Sequence, residues 1–175
     1  MPNIYVLRGA PASGKGTVAP LFCESLPKPV SLIAQDVLRW DFHLIGRQVS
    51  EVEDWEHKFA NDNTTILIEQ YLKNGHYTVV IEGLYTWGIA QTSQGNVLEL
   101  KQLAERYNCA FTSIVLRASK EILLERNAAR PYAVPLDEFE MLYNNVYGII
   151  DPSEIVVDSS NMNVDDTLKN LQELL

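Results

Sequence analysis

The 175-residue chain is poor in several things that would each point to a function. It has only two cysteines, Cys23 and Cys109, far apart and outside any CxxC or Cys/His cluster. A disulfide framework or a structural zinc site therefore lacks the ligands it needs, and both thiols are expected to be small buried hydrophobes. The three histidines, His43, His57 and His76, show no HxxH or HExxH spacing, which removes the common zinc-enzyme patterns and leaves surface or packing roles. No run of about eighteen apolar residues occurs, and no basic segment leads into a long apolar one near the start. Neither a membrane span nor a secretory leader is expected, and a cytoplasmic location is. Basic residues are also in deficit: 14 Lys and Arg against 23 Asp and Glu give a net charge of −9. A long nucleic acid would be repelled at range, whereas a small anion in a focused pocket is still allowed.

What remains is ordinary globular material. Hydrophobic residues make up 46% and charged residues 21%, with no repeat or low-complexity tract, so residues 1–175 are expected to form a single domain with one active-site unit. Short apolar, β-favouring runs recur at Ile4–Leu7, "VSLIA" (30–34), "YTVVIEG" (77–83), "AFTSIVLR" (110–117) and "EIVVD" (154–158). Between them lie helical patterns. One runs from Gly16 through Leu26, and one from Asp36 to about Ile45. A third starts from a capping-box spacing at Ser50 and Glu53, with Trp55, Phe59 and Ile66 on one face and a stop at Asn74–Gly75. Others carry Val97, Leu100, Leu103, Ala104 and Tyr107, then Ile122, Leu123 and Leu124 after a Ser119 cap, then Leu136 to Tyr147, and last Leu168, Leu171 and Leu175. Five apolar strands alternating with helices predict an α/β fold, a mostly parallel sheet covered on both faces.

The first strand leads straight into "RGAPASGKGT", residues 8–17, which carries Gly9, Gly14 and Lys15 at the GxxxxGK spacing. Holding a phosphate needs backbone N–H groups that converge on the anion, which glycines permit, and a helix N-terminus whose dipole favours negative charge. The loop Gly9, Ala12, Ser13, Gly14, Lys15, Gly16 and Thr17 offers both, with Lys15 reaching the β- and γ-phosphates. Its odd position is Gly16, where a Ser or Thr hydroxyl would ordinarily ligate Mg²⁺.

Three further features follow in order. "QDVLR" places Asp36 and Arg39 one helical turn apart just after the second strand, able to face one crevice: a carboxylate to orient and deprotonate a hydroxyl, and a cation to steady the acceptor. Glu82 ends the third strand beside the loop, where an acid can hold the acceptor or bind Mg²⁺ through water, as Asp36 also can. Arg126 and Arg130, four apart and followed by Pro131 and Pro135, suit a small lid over about 126–135 whose guanidinium groups stabilise a transferring phosphoryl group. Arg117 is a weaker member of that set. Trp40, Trp55 and Trp87 are expected to pack in the core, with the acceptor side as the alternative.

"GAPASGKGT" resembles the adenylate kinase loop GxPGxGKGT, which also has Gly after Lys; that resemblance gives Thr17 the phosphate contact and leaves Mg²⁺ to nucleotide oxygens and water. The DxxR of Asp36 and Arg39 resembles the kinase domain of polynucleotide kinases, where the Asp activates the acceptor hydroxyl. Glu82–Gly83 resembles the zeta-toxin group, although Leu84 replaces its Thr. In this order the features resemble the small P-loop kinases: polynucleotide kinase-like, zeta-toxin-like and gluconate kinase-like proteins. The resemblance implies a three-layer αβα P-loop NTPase fold with a five-stranded parallel sheet in order 2-3-1-4-5, an acceptor-binding helical region over about 36–75, and the lid. It further implies ATP and Mg²⁺ as cofactors, and transfer of the γ-phosphoryl group to a hydroxyl or phosphate of a small molecule, with Lys15, Asp36, Arg126 and Arg130 catalytic and Arg39 and Glu82 on the acceptor. A nucleic-acid 5′-hydroxyl kinase and a nucleotide-sugar kinase are alternatives, as is a nucleotide-binding module without catalysis. A GTPase is disfavoured, because neither NKxD nor DxxG occurs.

Overall fold

A computed structural model describes residues 3–46, 51–88 and 94–175. Strand β1 (Asn3–Arg8) runs into helix α1 (Lys15–Ser25), and β2 (Val30–Ala34) into a one-turn helix α2 (Gln35–Val37) that widens at once into a π-helical turn, Leu38–His43. The long helix α3 (Asp54–Asn74) precedes β3 (Thr78–Gly83), and two two-residue strands, β4 (Tyr85–Thr86) and β5 (Gly95–Asn96), come before α4 (Val97–Arg106). The remainder is β6 (Ala110–Arg117), α5 (Lys120–Ala128), α6 (Leu136–Tyr147), β7 (Ile155–Asp158) and α7 (Val164–Leu174).

The main sheet is entirely parallel and ordered β2-β3-β1-β6-β7; β4 and β5 pair only with each other. The extra pair shifts the strand labels relative to the sequence expectation, while the five apolar strands stand in space as 2-3-1-4-5. Helices cover both faces. Ile4, Val6, Val79 and Ile81 point to one side and pack with Ile68, Leu72, Leu100 and Leu103 of α3 and α4. Leu7, Val80, Ile114 and Leu116 point to the other, against Val18 and Phe22 of α1 and Leu171 of α7. Strands buried on both faces read as continuous apolar runs for this reason.

Two readings of local pattern need correction. Trp55, Phe59 and Ile66 are exposed, and α3 instead buries His57, Ala60, Thr64, Ile68 and Leu72. That stripe has three- and four-residue spacing but includes a histidine and a threonine, so hydrophobicity alone picked the wrong face. The capping box that starts α3 is formed by Glu53 and Glu56, each side chain accepting from the other's backbone N–H; Ser50 lies outside the described residues. The helix expected from Asp36 is the α2–π pair, widened where Leu44 N–H donates to Arg39 O, five residues back. Such π turns concentrate at functional sites.

One buried ion pair ties this frame together behind the Gly-rich loop. Arg8, fully buried, donates from Nε and Nη2 to the Glu154 carboxylate at 2.7 and 2.5 Å, from Nη1 to Tyr85 O and Val146 O, and from Nη2 to Ile149 O. All five guanidinium donors are thereby used. Glu154 also accepts from Ser113 Oγ and from the Asp151 backbone N–H.

Candidate active site

The Gly-rich loop spans the gap from β1 to α1 at the carboxyl end of the sheet. Gly9 has no room for a side chain: a Cβ there would stand 2.4 Å from Ser13 Oγ and 2.7 Å from Leu116 O. Gly14 caps α1 with φ of 90°, in the left-handed region where a side chain is penalised. Ala12 also has positive φ, 63°, at the position where the adenylate kinase pattern has glycine. Gly16 differs from these, because nothing lies within 4 Å of a Cβ built on it. Sterics therefore do not explain the missing hydroxyl. Beneath the loop Ser13 is buried, and its Oγ has no hydrogen-bond partner among the described residues. The loop is held from behind by Tyr147, whose hydroxyl accepts from Ala10 N–H at 3.1 Å and donates to Leu116 O at 2.6 Å.

A single cleft of about 1560 Å³ opens in front of this loop. Its wall includes Ala12, Gly14, Lys15, Gly16 and Thr17, together with Asp36, Arg39, Glu82, Arg126 and Arg130. Gly9 and Ser13 lie below the surface of the loop, and Arg117 is exposed away from the cleft wall.

Sheet register explains how the acids meet. Glu82 of β3 stands opposite Leu7 of β1 and Ala34 of β2, so the carboxyl ends of three strands bring Lys15, Asp36 and Glu82 to one place. Glu82 is buried, and burial pushes its carboxyl above the usual carboxylate range; Lys15 pulls it back and Asp36 pushes it further. Asp36 remains half exposed, 3.8 Å from the guanidinium of Arg39. Arg39 is almost wholly buried. Burial depresses its pKa, while Asp36 and Tyr85 oppose the shift, and Asn61 Oδ1 accepts from its Nη2 at 2.9 Å.

The arginines expected on a lid divide into two kinds. Arg126, on α5, is fastened to the end of the sheet by Nη2 donating to Ser159 O at 2.9 Å, with Nη1 at 3.4 Å from Ser159 Oγ. Arg130 is exposed on the segment between α5 and α6. The ends of that segment are clasped by Asn127, whose Nδ2 donates to Val134 O at 2.8 Å and whose Oδ1 accepts from Val134 N–H at 3.0 Å.

This geometry has a counterpart among known proteins. A family model described as an AAA domain matches residues 4–145, most of the chain. The chain belongs to the AAA domain family. Its fold is that of the small P-loop kinases. A candidate kinase from Chloroflexus aurantiacus superposes with a TM-score of 0.70 at 18% identity, over 98% of this chain and 94% of that one. A sugar kinase from Janibacter sp. HTCC2649 gives 0.66 at 12%, over 99% and 94%. A gluconokinase from Sinorhizobium meliloti gives 0.64 at 18%, over 99% and 91%. Among the described residues of this AAA domain, no helix is long and apolar enough to cross a membrane.

Several residues in and behind the cleft wall of the AAA domain escape a sequence reading. His57 is buried in the cleft wall, its ring edge-on to Trp40 at 6.4 Å between centroids. Burial, aided by the Arg39 charge, pushes its pKa down against the pull of Asp54 and Glu56. Trp40 lines the cleft and Trp55 is exposed, so of the three tryptophans only Trp87 packs against a core cluster. Gln35 is buried at the foot of α2, and Asn61 joins it from α3. No spacing rule could have marked Gln35 or Asn61, but the polar interruption in the buried stripe of α3 was a usable signal for His57.

Proposed function

We propose that this AAA domain is an ATP-dependent phosphotransferase that moves the γ-phosphoryl group to a hydroxyl or phosphate of a small molecule. What supports this is one cleft shared by a phosphate loop, a carboxylate–arginine pair, a strand-end acid and two arginines, the parts that positioning and charge stabilisation of phosphoryl transfer require. The names sugar kinase and gluconokinase carried by two similar structures favour a hydroxyl-bearing acceptor.

The residues present suit ATP and Mg²⁺. Gly14 and Gly16 leave the loop amides uncovered at the start of α1, and Asp36 and Glu82 are hard oxygen donors on the same cleft. Mg²⁺ is commonly held by one or two carboxylates with substrate phosphates and water, which asks for no protein cage. When bound it supplies neutralising charge on the phosphate oxygens.

In this reading Lys15, the loop amides and Thr17 bind the phosphates, while Arg39 and Glu82 orient the acceptor. Asp36 takes the acceptor hydroxyl's proton at a carboxylate oxygen. The acceptor oxygen then bonds to the γ-phosphorus as the bond to the β–γ bridging oxygen breaks and ADP leaves, and Arg126 and Arg130 stabilise the charge on the group in transit. The test is transfer of label from γ-labelled ATP into a metabolite extract, with the product identified by mass. Lys15→Ala should weaken ATP binding and abolish transfer. Asp36→Asn should leave ATP binding intact and slow transfer by about 10²- to 10⁴-fold. Tight ATP binding by the wild type with no labelled product would identify a binding module instead.

A further inference from the structure

We infer that Asn61 is a positioning residue for the acceptor half of the site, acting through Arg39; the inference rests on the phosphotransferase reading. The argument starts from the polarity of one hydrogen-bond chain. The backbone N–H of Leu84, two residues beyond Glu82, can only donate, and it donates to Gln35 Oε1 at 3.0 Å. That fixes which end of the Gln35 amide faces Asn61, so Gln35 Nε2 donates to Asn61 Oδ1 at 2.9 Å. Arg39 has donors only, and its Nη2 reaches the same Asn61 oxygen, also at 2.9 Å. Asn61 Nδ2 in turn donates to Gln94 O at 3.3 Å. One carbonyl oxygen on α3 thus holds Arg39 beside Gln35, whose own amide oxygen holds the chain just past the strand that carries Glu82.

The alternatives for holding Arg39 are poor. Its Nε has no partner among the described residues, and Asp36 lies at 3.8 Å, outside hydrogen-bond range. A nearly buried guanidinium is oriented by whatever accepts from it, and here that is Asn61. Gln35 cannot retreat to compensate, because Gly83 packs on it so closely that a Cβ there would fall 2.5 Å from Gln35 Oε1. Losing the Asn61 oxygen would therefore free Arg39 to turn toward Asp36 and draw that carboxylate off the acceptor.

Three proteins are compared: wild type, Asn61→Leu, which keeps bulk and removes the acceptor oxygen, and Asn61→Asp, which keeps an oxygen for both donors. ATP affinity, label transfer from γ-labelled ATP into a metabolite extract, and the Arg39 guanidinium ¹⁵N signals are measured on each. Asn61→Leu should bind ATP as the wild type does, lose transfer by on the order of tenfold to a hundredfold, as expected for one hydrogen bond to a charged group, and show Arg39 signals displaced from their wild-type positions. Asn61→Asp should restore both transfer and signals. Full transfer by Asn61→Leu, or lost transfer with unmoved Arg39 signals, overturns the positioning role and leaves the phosphotransferase reading standing. No labelled product from the wild type overturns that reading, and the inference falls with it.

Discussion

Replacing Glu154 by Leu should be among the most damaging single changes in this chain, although Glu154 does not line the cleft. The wild-type pair is fully buried and fully bonded: Glu154 accepts two bonds from Arg8, one from Ser113 and one from the Asp151 amide. The substitution leaves a buried guanidinium without its counter-ion, with Nε unpaired and Nη2 reduced to Ile149 O, and orphans a hydroxyl and an amide. Breaking a buried pair from one side costs about 3–5 kcal/mol. With about 2–4 °C per kcal/mol for a domain of this size, the melting temperature should fall by roughly 6–20 °C. Arg8→Met should cost a similar amount, leaving a buried carboxylate uncompensated. The double variant Arg8→Met/Glu154→Leu removes both charges and should be less destabilised than the sum of the singles. Calorimetry on the four proteins checks this. Additive losses, or a Glu154→Leu loss under about 1 kcal/mol, would refute the account of a pair whose value lies in mutual compensation.

Other outcomes follow from the loop and the buried titratable groups. Gly9→Ala should lower stability by about 1–3 kcal/mol, toward the upper end because backbone Leu116 O cannot retreat as a side chain could; ATP titration and thermal unfolding check it. Glu82→Gln should stabilise the protein at pH 7–8 and slow transfer. The raised folded pKa means that the native state binds the proton more tightly than the unfolded chain, so stability is lost as pH rises above the ordinary 4.5. The glutamine escapes that loss, and the difference should vanish below pH 4.5. His57 has the opposite sign: its folded pKa lies below 6.5, so its contribution is full above pH 6.5 and is lost as pH falls below that value. His57→Asn should flatten that part of the stability–pH curve, measured by denaturant melts from pH 7.5 to 5.5.

The sequence carried the phosphate loop, Asp36, Arg39 and Glu82 openly, because each belongs to a local pattern of strand end, turn and helix start that determines where its side chain goes. Lys15 opens the helix at the end of a loop that leaves a strand directly, and Glu82 closes an apolar run, so neither needs a long-range contact to be placed. The remainder depends on partners distant in the chain. Arg8 and Glu154 are separated by 146 positions, and each reads locally as a charged residue at a strand end. Gln35 and Asn61 gain their roles only when α3 crosses the end of β2. In α3, Trp55 and Phe59 imitate a core stripe, whereas the buried positions of the helix belong to His57, Ala60, Thr64, Ile68 and Leu72.

The Asn127 clasp makes the exposed segment modular. Both backbone groups of Val134 are bound to one side chain of α5, so residues 129–133 form a loop between two ends held at a fixed separation. Exchanging Arg130, Tyr132 or Ala133 alters the roof of the cleft while α6, Tyr147 and the phosphate loop behind it stay in place. The lining of the cleft can therefore change on this side without disturbing the packing that holds the Gly-rich loop.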